Sequence, residues 1–264
     1  MLRTGNQRLT RTLAVPLLVC VFLLLSCGTS NNTASSDGAL SGNWQVTLQQ
    51  NPPSSITQSE SGFLVQSGDS LSGQLVLSGQ THCAGLGSVQ GTLTKSNIGI
   101  TVNQIGQTVN LAGTAASDGS SMAGTYSTFA SGCSDGSSTG TWIASPVKPV
   151  TGTYAATFTS YTLGVYGSVI TVTQGPNTGA SVATLSGTMT LSNAPCGNNN
   201  VSVSGVVGGT SIVFNFLTSD GSAVGQFRGS TSNDAKTLTG TYDFLAQGNV
   251  CDAGTISAMQ QSST

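Results

Sequence analysis

The sequence predicts an all-β protein built from two tandem modules, each an antiparallel meander of about eight strands. A Leu-Ser-Gly cassette at 71–73 leads to Cys83, and the same cassette at 185–187 leads to Cys196. Apolar residues alternate with polar ones, as in half-buried strands, and turn signals rich in Gly, Asn and Asp separate the runs. The repeat spacing of roughly 110 residues matches the usual size of a domain, so we expect two domains.

Residues 1–26 have the pattern of an export signal. Arg3, Arg8 and Arg11 precede an apolar run at 13–25 that is too short to span a bilayer comfortably. The run ends in Leu24-Leu25-Ser26-Cys27, which resembles the signal of bacterial lipoproteins. That resemblance implies that Cys27 receives a lipid and becomes the mature N-terminus, which would make a membrane the first partner of the protein. The alternative is an ordinary secretory signal, with Cys27 as a structural thiol.

The residue after the lipidated cysteine bears on the location. In the lipoprotein family an aspartate at this place favours retention in the inner membrane, and here Gly28 occupies it. The resemblance therefore implies an outer-membrane lipoprotein, periplasmic or surface-exposed. Residues 27–40 are polar and have little to bury, so we expect a disordered tether.

The mature chain divides into module 1 at 41–145, a linker at 146–150 that contains Pro146 and Pro149, and module 2 at 151–260. We expect the linker to allow limited motion between the modules, like beads on a string. The predicted strands of module 1 are 42–49, 61–67, 70–78, 87–94, 97–103, 107–115, 120–128 and 138–144. Those of module 2 are 152–159, 167–174, 182–192, 200–207, 210–217, 223–231, 236–244 and 253–259.

Each meander either closes into a small barrel or folds into a sandwich. Closure would leave no unpaired edge on a chain with few charges to protect one. Glycines inside the predicted strands, Gly73, Gly91, Gly113 and Gly124, would relieve the curvature that a barrel imposes.

Four cysteines remain once Cys20 leaves with the leader and Cys27 takes a lipid. Four cysteines allow three pairings, but each repeat carries two of them at equivalent places. We therefore predict a Cys83–Cys133 bond in module 1 and a Cys196–Cys251 bond in module 2. A zinc site is disfavoured, because the sequence contains no Cys-x-x-Cys pair.

Composition and motifs argue against several classes of function. Lys95, Lys148, Arg228 and Lys236 are the basic residues left after the leader, which is too few for phosphate-dependent binding of nucleic acid. His82 is the single histidine, and its neighbour Cys83 is expected to be oxidised, so a Cys-His nucleophile is not predicted. We expect no cofactor, no metal and no enzymatic activity.

The acidic residues are read as turn and surface residues. Asp118, Asp135 and Asp220 each precede a glycine, which is typical of tight turns. The other acids are dispersed, and almost none recurs at the matching place of the second copy, so we expect them on the surface. These acids are Glu60, Asp69, Asp234, Asp243 and Asp252.

Gly42-x-Trp44, at the start of an eight-strand meander, is similar to the opening of calycin barrels, the family of lipocalins and avidins. The resemblance implies a small apolar ligand held inside a barrel. The residues that would face it are Ile98, Ile100, Val102, Ile212, Phe214 and Phe216. The alternative is that Trp44 and its counterpart Tyr154 plug the bottoms of barrels filled by their own side chains.

Three functions are therefore weighed. The first is a non-catalytic envelope lipoprotein that binds an envelope protein or another ligand, or that has a structural role. The second is a lipocalin-like carrier of a small apolar molecule. An extracytoplasmic hydrolase is the third and is disfavoured, because the sequence shows no constellation of histidine, acid and nucleophile.

Overall fold

The computed structural model describes residues 39–52, 56–78, 85–130, 137–175, 182–192, 195–197 and 199–262. In this part of the chain the secondary structure is strand, apart from one 3-10 turn at Pro195–Gly197. No helix among these residues is long and apolar enough to cross a membrane. The all-β prediction is confirmed.

The strands lie close to their predicted positions, because the alternation and the turn signals fix both ends of most of them. In the first half they are β1 Gly42–Gln50, β2 Thr57–Ser67, β3 Ser70–Ser78, β4 Gly85–Thr94, β5 Asn97–Gln104, β6 Gln107–Ala115, β7 Met122–Ala130 and β8 Thr139–Pro146. In the second half they are β9 Gly152–Ser160, β10 Gly164–Gln174, β11 Ala183–Leu191, β12 Asn200–Gly208, β13 Ser211–Leu217, β14 Ala223–Thr231, β15 Thr237–Ala246 and β16 Asn249–Gln260.

Each half is a closed, eight-stranded antiparallel barrel. Strand β1 pairs with β2 on one side and with β8 on the other, and β9 pairs with β10 and β16 in the same way. Closure therefore distinguishes the barrel from the sandwich that the sequence left open. We call the two halves barrel 1 and barrel 2.

The two ends of each barrel differ. The mouth is the end formed by the β1–β2, β3–β4, β5–β6 and β7–β8 connections, or by their counterparts in barrel 2. The base is the opposite end, where the chain enters. At the base of barrel 1, Trp44 donates a hydrogen bond from Nε1 to the Leu40 carbonyl oxygen at 2.9 Å. In barrel 2, Tyr154 donates from its hydroxyl to the Ala235 carbonyl oxygen at 2.8 Å. Both rings are buried, so the expectation that they plug the bases is confirmed.

Paired glycines let the sheets curve. Gly113 on β6 lies opposite Gly124 on β7, and Gly229 on β14 lies opposite Gly240 on β15. A Cβ at any of these positions would collide with a carbonyl oxygen of the neighbouring strand. The bare backbone therefore permits the close approach that a small barrel needs.

Two of the three Asp-Gly sequences form the predicted turns. Asp118 Oδ1 accepts a hydrogen bond from the Ser120 amide at 3.0 Å, and Asp220 Oδ1 accepts one from the Ser222 amide at 3.0 Å. This is the local bonding by which aspartate stabilises a turn. Asp135 lies outside the described residues.

The outer wall of barrel 1 closes the base of barrel 2. Phe63 points outward from β2, yet it is 1% exposed and belongs to the hydrophobic core of barrel 2. Val65, two residues along the same strand, packs against that core as well. Both barrels thus belong to one compact unit. The burial of Phe63 ties the stability of barrel 2 to barrel 1.

Polar contacts fix the same junction. Asn43 is buried, and its Oδ1 accepts a hydrogen bond from the Gly209 amide at 2.8 Å. Gly209 has a φ of +62°, and a Cβ there would strike the backbone of Gly62, so this position requires glycine. Thr210 adds a hydroxyl contact of 3.2 Å to Ser61.

The proline linker is held rather than loose. Val147 donates from its amide to the Asn43 carbonyl oxygen, and Lys148 donates to the Asn233 carbonyl oxygen, both at 2.8 Å. Val150 is fully buried in the core of barrel 2. The linker therefore contacts both barrels, unlike the join between two beads that the sequence suggested.

We predict that Phe63→Ala destabilises barrel 2 by about 3 kcal/mol, because it opens a cavity in that core. Tryptophan fluorescence reports on barrel 1 alone, since Trp44 and Trp142 are the two tryptophans of the chain and both lie in its core. In urea, the circular dichroism transition of the variant should precede its fluorescence transition.

The matched control is Phe129→Ala, because Phe129 also belongs to barrel 1 but is 65% exposed. Its two transitions should stay at the wild-type midpoint. Coincident transitions at an unchanged midpoint in Phe63→Ala would contradict the coupling of the two barrels.

Candidate ligand-binding sites at the barrel mouths

The mouth of barrel 2 contains a buried carboxyl group surrounded by hydroxyls. Asp252 on β16 is 2% exposed. Its Oδ2 accepts hydrogen bonds from the Tyr166 hydroxyl at 2.7 Å and the Tyr242 hydroxyl at 2.8 Å. Its Oδ1 accepts a third hydrogen bond from Ser160 Oγ. We call these four residues the Asp252 cluster.

Strand register assembles this cluster. Tyr242 lies opposite Gly254 across the β15–β16 ladder, and a Cβ at Gly254 would collide with the Thr159 carbonyl oxygen of β9. Ser160 ends β9, and its Oγ accepts hydrogen bonds from the amides of Thr162 at 3.1 Å and Leu163 at 2.9 Å. The serine therefore connects Asp252 to the β9–β10 turn.

Aromatic rings enclose the cluster. Phe158 stacks on Tyr166 at a centroid distance of 5.1 Å and meets the edge of Tyr242 at 4.8 Å, while Phe216 stacks on Phe244 at 4.9 Å. Burial, together with the hydrogen bond to Asp252, raises the pKa of Tyr242 to about 12 and raises the pKa of Tyr166 further. Both phenols are therefore neutral hydrogen-bond donors at physiological pH.

A disulfide closes the same mouth. The structure contains the predicted bond between Cys196 and Cys251, whose Cα atoms are 6.2 Å apart. It joins the β11–β12 connection to the residue beside Asp252. The other predicted pair, Cys83 and Cys133, lies outside the described residues, and so does His82.

We predict that Tyr242→Phe lowers the free energy of unfolding by about 2 kcal/mol, because it takes a donor from a buried carboxyl group. Tyr161→Phe is the matched control, since Tyr161 is 71% exposed, and it should change the stability by less than about 0.5 kcal/mol. Chemical denaturation followed by circular dichroism measures both. Equal stability of Tyr242→Phe and the wild type would mean that the cluster contributes nothing to the fold.

The mouth of barrel 1 contains a different buried acid. Glu60 points inward from β2 and is 4% exposed. Among the described residues, no group hydrogen-bonds its carboxyl group. Burial raises the pKa of Glu60 from 4.5 to about 8, so the side chain is mostly neutral at pH 7. Tyr126 on β7 is close enough for Glu60 to contribute to the raised pKa of its phenol, although burial is the larger cause.

The expectation that the dispersed acids lie on the surface is wrong for Glu60 and Asp252. It holds for Asp69 and Asp234, which are exposed, and Asp243 is partly buried. The missed signal was the alternation itself, because Glu60 is in phase with the inward Leu64 and Asp252 with the inward Ile256. The comparison of the two repeats also gave the wrong expectation for these acids, because each copy places its buried acid on a different strand.

The six apolar residues proposed to face a ligand are inward and almost completely buried. Their exposed fractions run from 0% to 4%. In barrel 2, Phe214 stacks on Phe227 at 4.6 Å and meets the edge of Phe216 at 5.5 Å. In both barrels these residues form the packed core. Their proposed contact with a ligand remains a prediction.

Two cavities lined by described residues lie elsewhere. One, of about 280 Å³, is at the base of barrel 1 beside Leu40, Leu93 and Lys95. The other, of about 400 Å³, lies beside Thr188, Asn200 and Ser202, where β11 adjoins β12. Within the described ranges, no three His, Cys, Asp or Glu side chains form a group that could hold a metal ion.

We predict that Glu60→Gln stabilises the protein increasingly as the pH rises. Below about pH 4.5 the acid is protonated in both the folded and the unfolded chain, so it costs nothing. Between that pH and about 8 only the unfolded chain releases the proton, so the free energy of unfolding of the wild type falls. The variant lacks this loss and should be more stable by about 3 kcal/mol at pH 7.

Urea unfolding at several pH values measures the difference. Asp69→Asn is the control, because it removes an exposed carboxylate and should show little effect at any pH. A gap between Glu60→Gln and the wild type that stays constant from about pH 4 to pH 8 would contradict a buried, neutral Glu60.

Comparisons with known proteins leave the family open. No family model and no curated protein matches the sequence. Among solved structures, a protein of unknown function from the DUF3598 family of Nostoc punctiforme matches at 8% identity and a TM-score of 0.26, over 84% of this chain and 97% of that one. Kievitone hydratase from Nectria haematococca matches at 8% identity and a TM-score of 0.22, over 86% of this chain and 91% of its own. At these TM-scores the similarities carry no argument about function.

Proposed function

We propose that this protein is a bacterial envelope lipoprotein, held to the outer membrane by a lipid on Cys27, whose two barrels have a non-catalytic binding or structural role. The Leu24-Leu25-Ser26-Cys27 sequence and the polar tether at 27–40 support the anchor. The partner is an envelope protein or a small ligand. Neither nucleic acid nor a cofactor is part of this proposal.

The observation that carries the non-catalytic role is that both oxygens of Asp252 are bonded within the barrel. Its two carboxyl oxygens accept hydrogen bonds from Ser160, Tyr166 and Tyr242 of the same barrel. A general base needs an oxygen within reach of the proton that it removes from a substrate. Here the oxygens serve the protein's own hydroxyls, so the cluster acts as a strut between β9, β10, β15 and β16.

The Cys196–Cys251 disulfide supports a location outside the cytoplasm. Structural disulfides persist in oxidising compartments and are rare where glutathione keeps thiols reduced. A bond that closes a separation of 55 residues adds about 4 kcal/mol to the stability of barrel 2 on the chain-entropy estimate.

A small-molecule carrier is the second candidate. The apolar form of this hypothesis requires a ligand among Ile98, Ile100 and Val102, which pack in the core of barrel 1. The neutral acid Glu60 at the mouth of barrel 1 favours a carrier of a polar molecule instead.

We predict that Cys27→Ser abolishes lipid attachment in a bacterial host that processes lipoproteins, because the thiol is the group that receives the lipid. Metabolic labelling with an alkyne fatty acid, followed by gel fluorescence, measures this. Cys20→Ser is the matched control, because Cys20 lies in the leader and should label like the wild type. Equal labelling of Cys27→Ser and the wild type would contradict the proposed anchor.

A further inference from the structure

The tandem copies provide an internal comparison of the two mouths. Strand register defines equivalent positions. Glu60 pairs with Val46 on β1 just as Ser168 pairs with Ala156 on β9, so Glu60 and Ser168 are counterparts. Tyr126 and Tyr242 are counterparts as well, because each lies opposite a glycine of the last strand.

Large aromatic rings fill the mouth of barrel 2, whereas the equivalent described positions of barrel 1 carry none. Four inward positions near the mouth differ in this way, and the rings of barrel 2 stack on one another. In barrel 2 these positions are Phe158, Tyr166, Phe216 and Phe244, and their counterparts in barrel 1 are Leu48, Gln58, Val102 and Thr128. Gly225 makes room for Phe216 and Phe244, and in barrel 1 Val109 takes its place.

Two of the four side chains that replace the rings are polar and uncharged, and a third polar side chain points inward near them. Gln58 lies one inward step from Glu60 along β2, and Gln104 points inward at the mouth end of β5. Thr128 is buried, and its hydroxyl oxygen lies 3.0 Å from that of Ser138. Amides and hydroxyls of this kind both donate and accept hydrogen bonds.

The two barrels also treat their buried polar groups differently. In barrel 2, Ser168 donates to the Thr190 carbonyl oxygen at 2.8 Å, and Asp252 accepts three hydrogen bonds. In barrel 1, no described group hydrogen-bonds the Glu60 carboxyl group, which is nevertheless almost completely buried. Burying a carboxyl group is costly, and no contact among the described residues offsets that cost for Glu60, so its burial points to a role beyond the fold.

We propose that the mouth of barrel 1 binds a small, neutral, hydroxyl-rich molecule such as a monosaccharide or polyol, with Glu60 as its central hydrogen-bonding group. This inference rests on the binding role proposed above and names the class of ligand. Gln58 provides a further amide beside Glu60, and Tyr126, whose hydroxyl contacts Ser138, borders it, while the Thr128 hydroxyl is already bonded to Ser138. The packed mouth of barrel 2 has no such role.

Charge and polarity select this class over others. The four basic residues beyond the leader lie elsewhere, with Lys95 at the base of barrel 1 and Lys148, Arg228 and Lys236 in the linker and barrel 2. Among the described residues of this mouth, none would therefore give an anionic ligand a counter-charge. An apolar ligand would leave the Glu60 carboxyl group without a hydrogen bond, whereas hydroxyl groups satisfy it.

Saturation-transfer NMR with D-glucose, N-acetyl-D-glucosamine and glycerol tests the proposal on the full mature chain with its disulfides intact. The expected result is binding of at least one probe by the wild type. Glu60→Leu should weaken it by at least about tenfold, because it removes both hydrogen-bonding oxygens. Tyr126→Phe, which keeps the shape of the mouth, should weaken it to a smaller extent.

Ser168→Ala is the matched control, because it removes the polar group at the equivalent place in barrel 2 and should leave binding unchanged. Three outcomes would overturn the proposal: no binding of any probe, equal binding by Glu60→Leu and the wild type, or binding of ethylamine in place of the neutral probes. Failure here with normal labelling of Cys27 removes this ligand class and leaves the envelope lipoprotein in place. Probe binding without labelling of Cys27 would support this ligand class and remove the lipid anchor.

Discussion

Closure of each sheet is the constraint on which the rest of the structure depends. Because β1 pairs with β8 and β9 with β16, the described strands of each barrel leave no ladder edge open. Every inward side chain then shares one narrow interior, where it must pack against its neighbours or satisfy its polar atoms. The paired glycines at 113 and 124 and at 229 and 240 meet this constraint on the backbone.

The two copies meet the same constraint with opposite chemistry. Barrel 2 places Asp252 among three hydroxyl donors and fills the remaining space with stacked rings, so its polar and apolar groups are satisfied internally. Barrel 1 buries Glu60 in neutral form, where burial raises its pKa to about 8. A duplicated fold that keeps Tyr126 and Tyr242 in register while diverging around them is consistent with the proposal that only one copy has a binding role.

The sequence predicted most of the architecture. Alternation, turn signals and the repeat placed the sixteen strands to within a few residues, because these signals are local to each strand. Barrel closure was not decided, since a sandwich and a barrel require the same alternation. The Cys196–Cys251 pair followed from repeat equivalence, which is a non-local signal that the sequence does contain.

The candidate sites were predicted less well, for two physical reasons. Phe63 alternates outward, and no local pattern shows that another barrel covers it. Glu60 and Asp252 share the inward phase of their strands, but an acid in that phase is expensive to bury and was read as a surface residue. Their burial depends on partners brought together by register across several strands. The chain enters barrel 1 at its base, beside Leu40, and the wall around Phe63 covers the base of barrel 2. The chain itself therefore covers much of each base, whereas both buried acids lie at the mouths, where register brings their partners together.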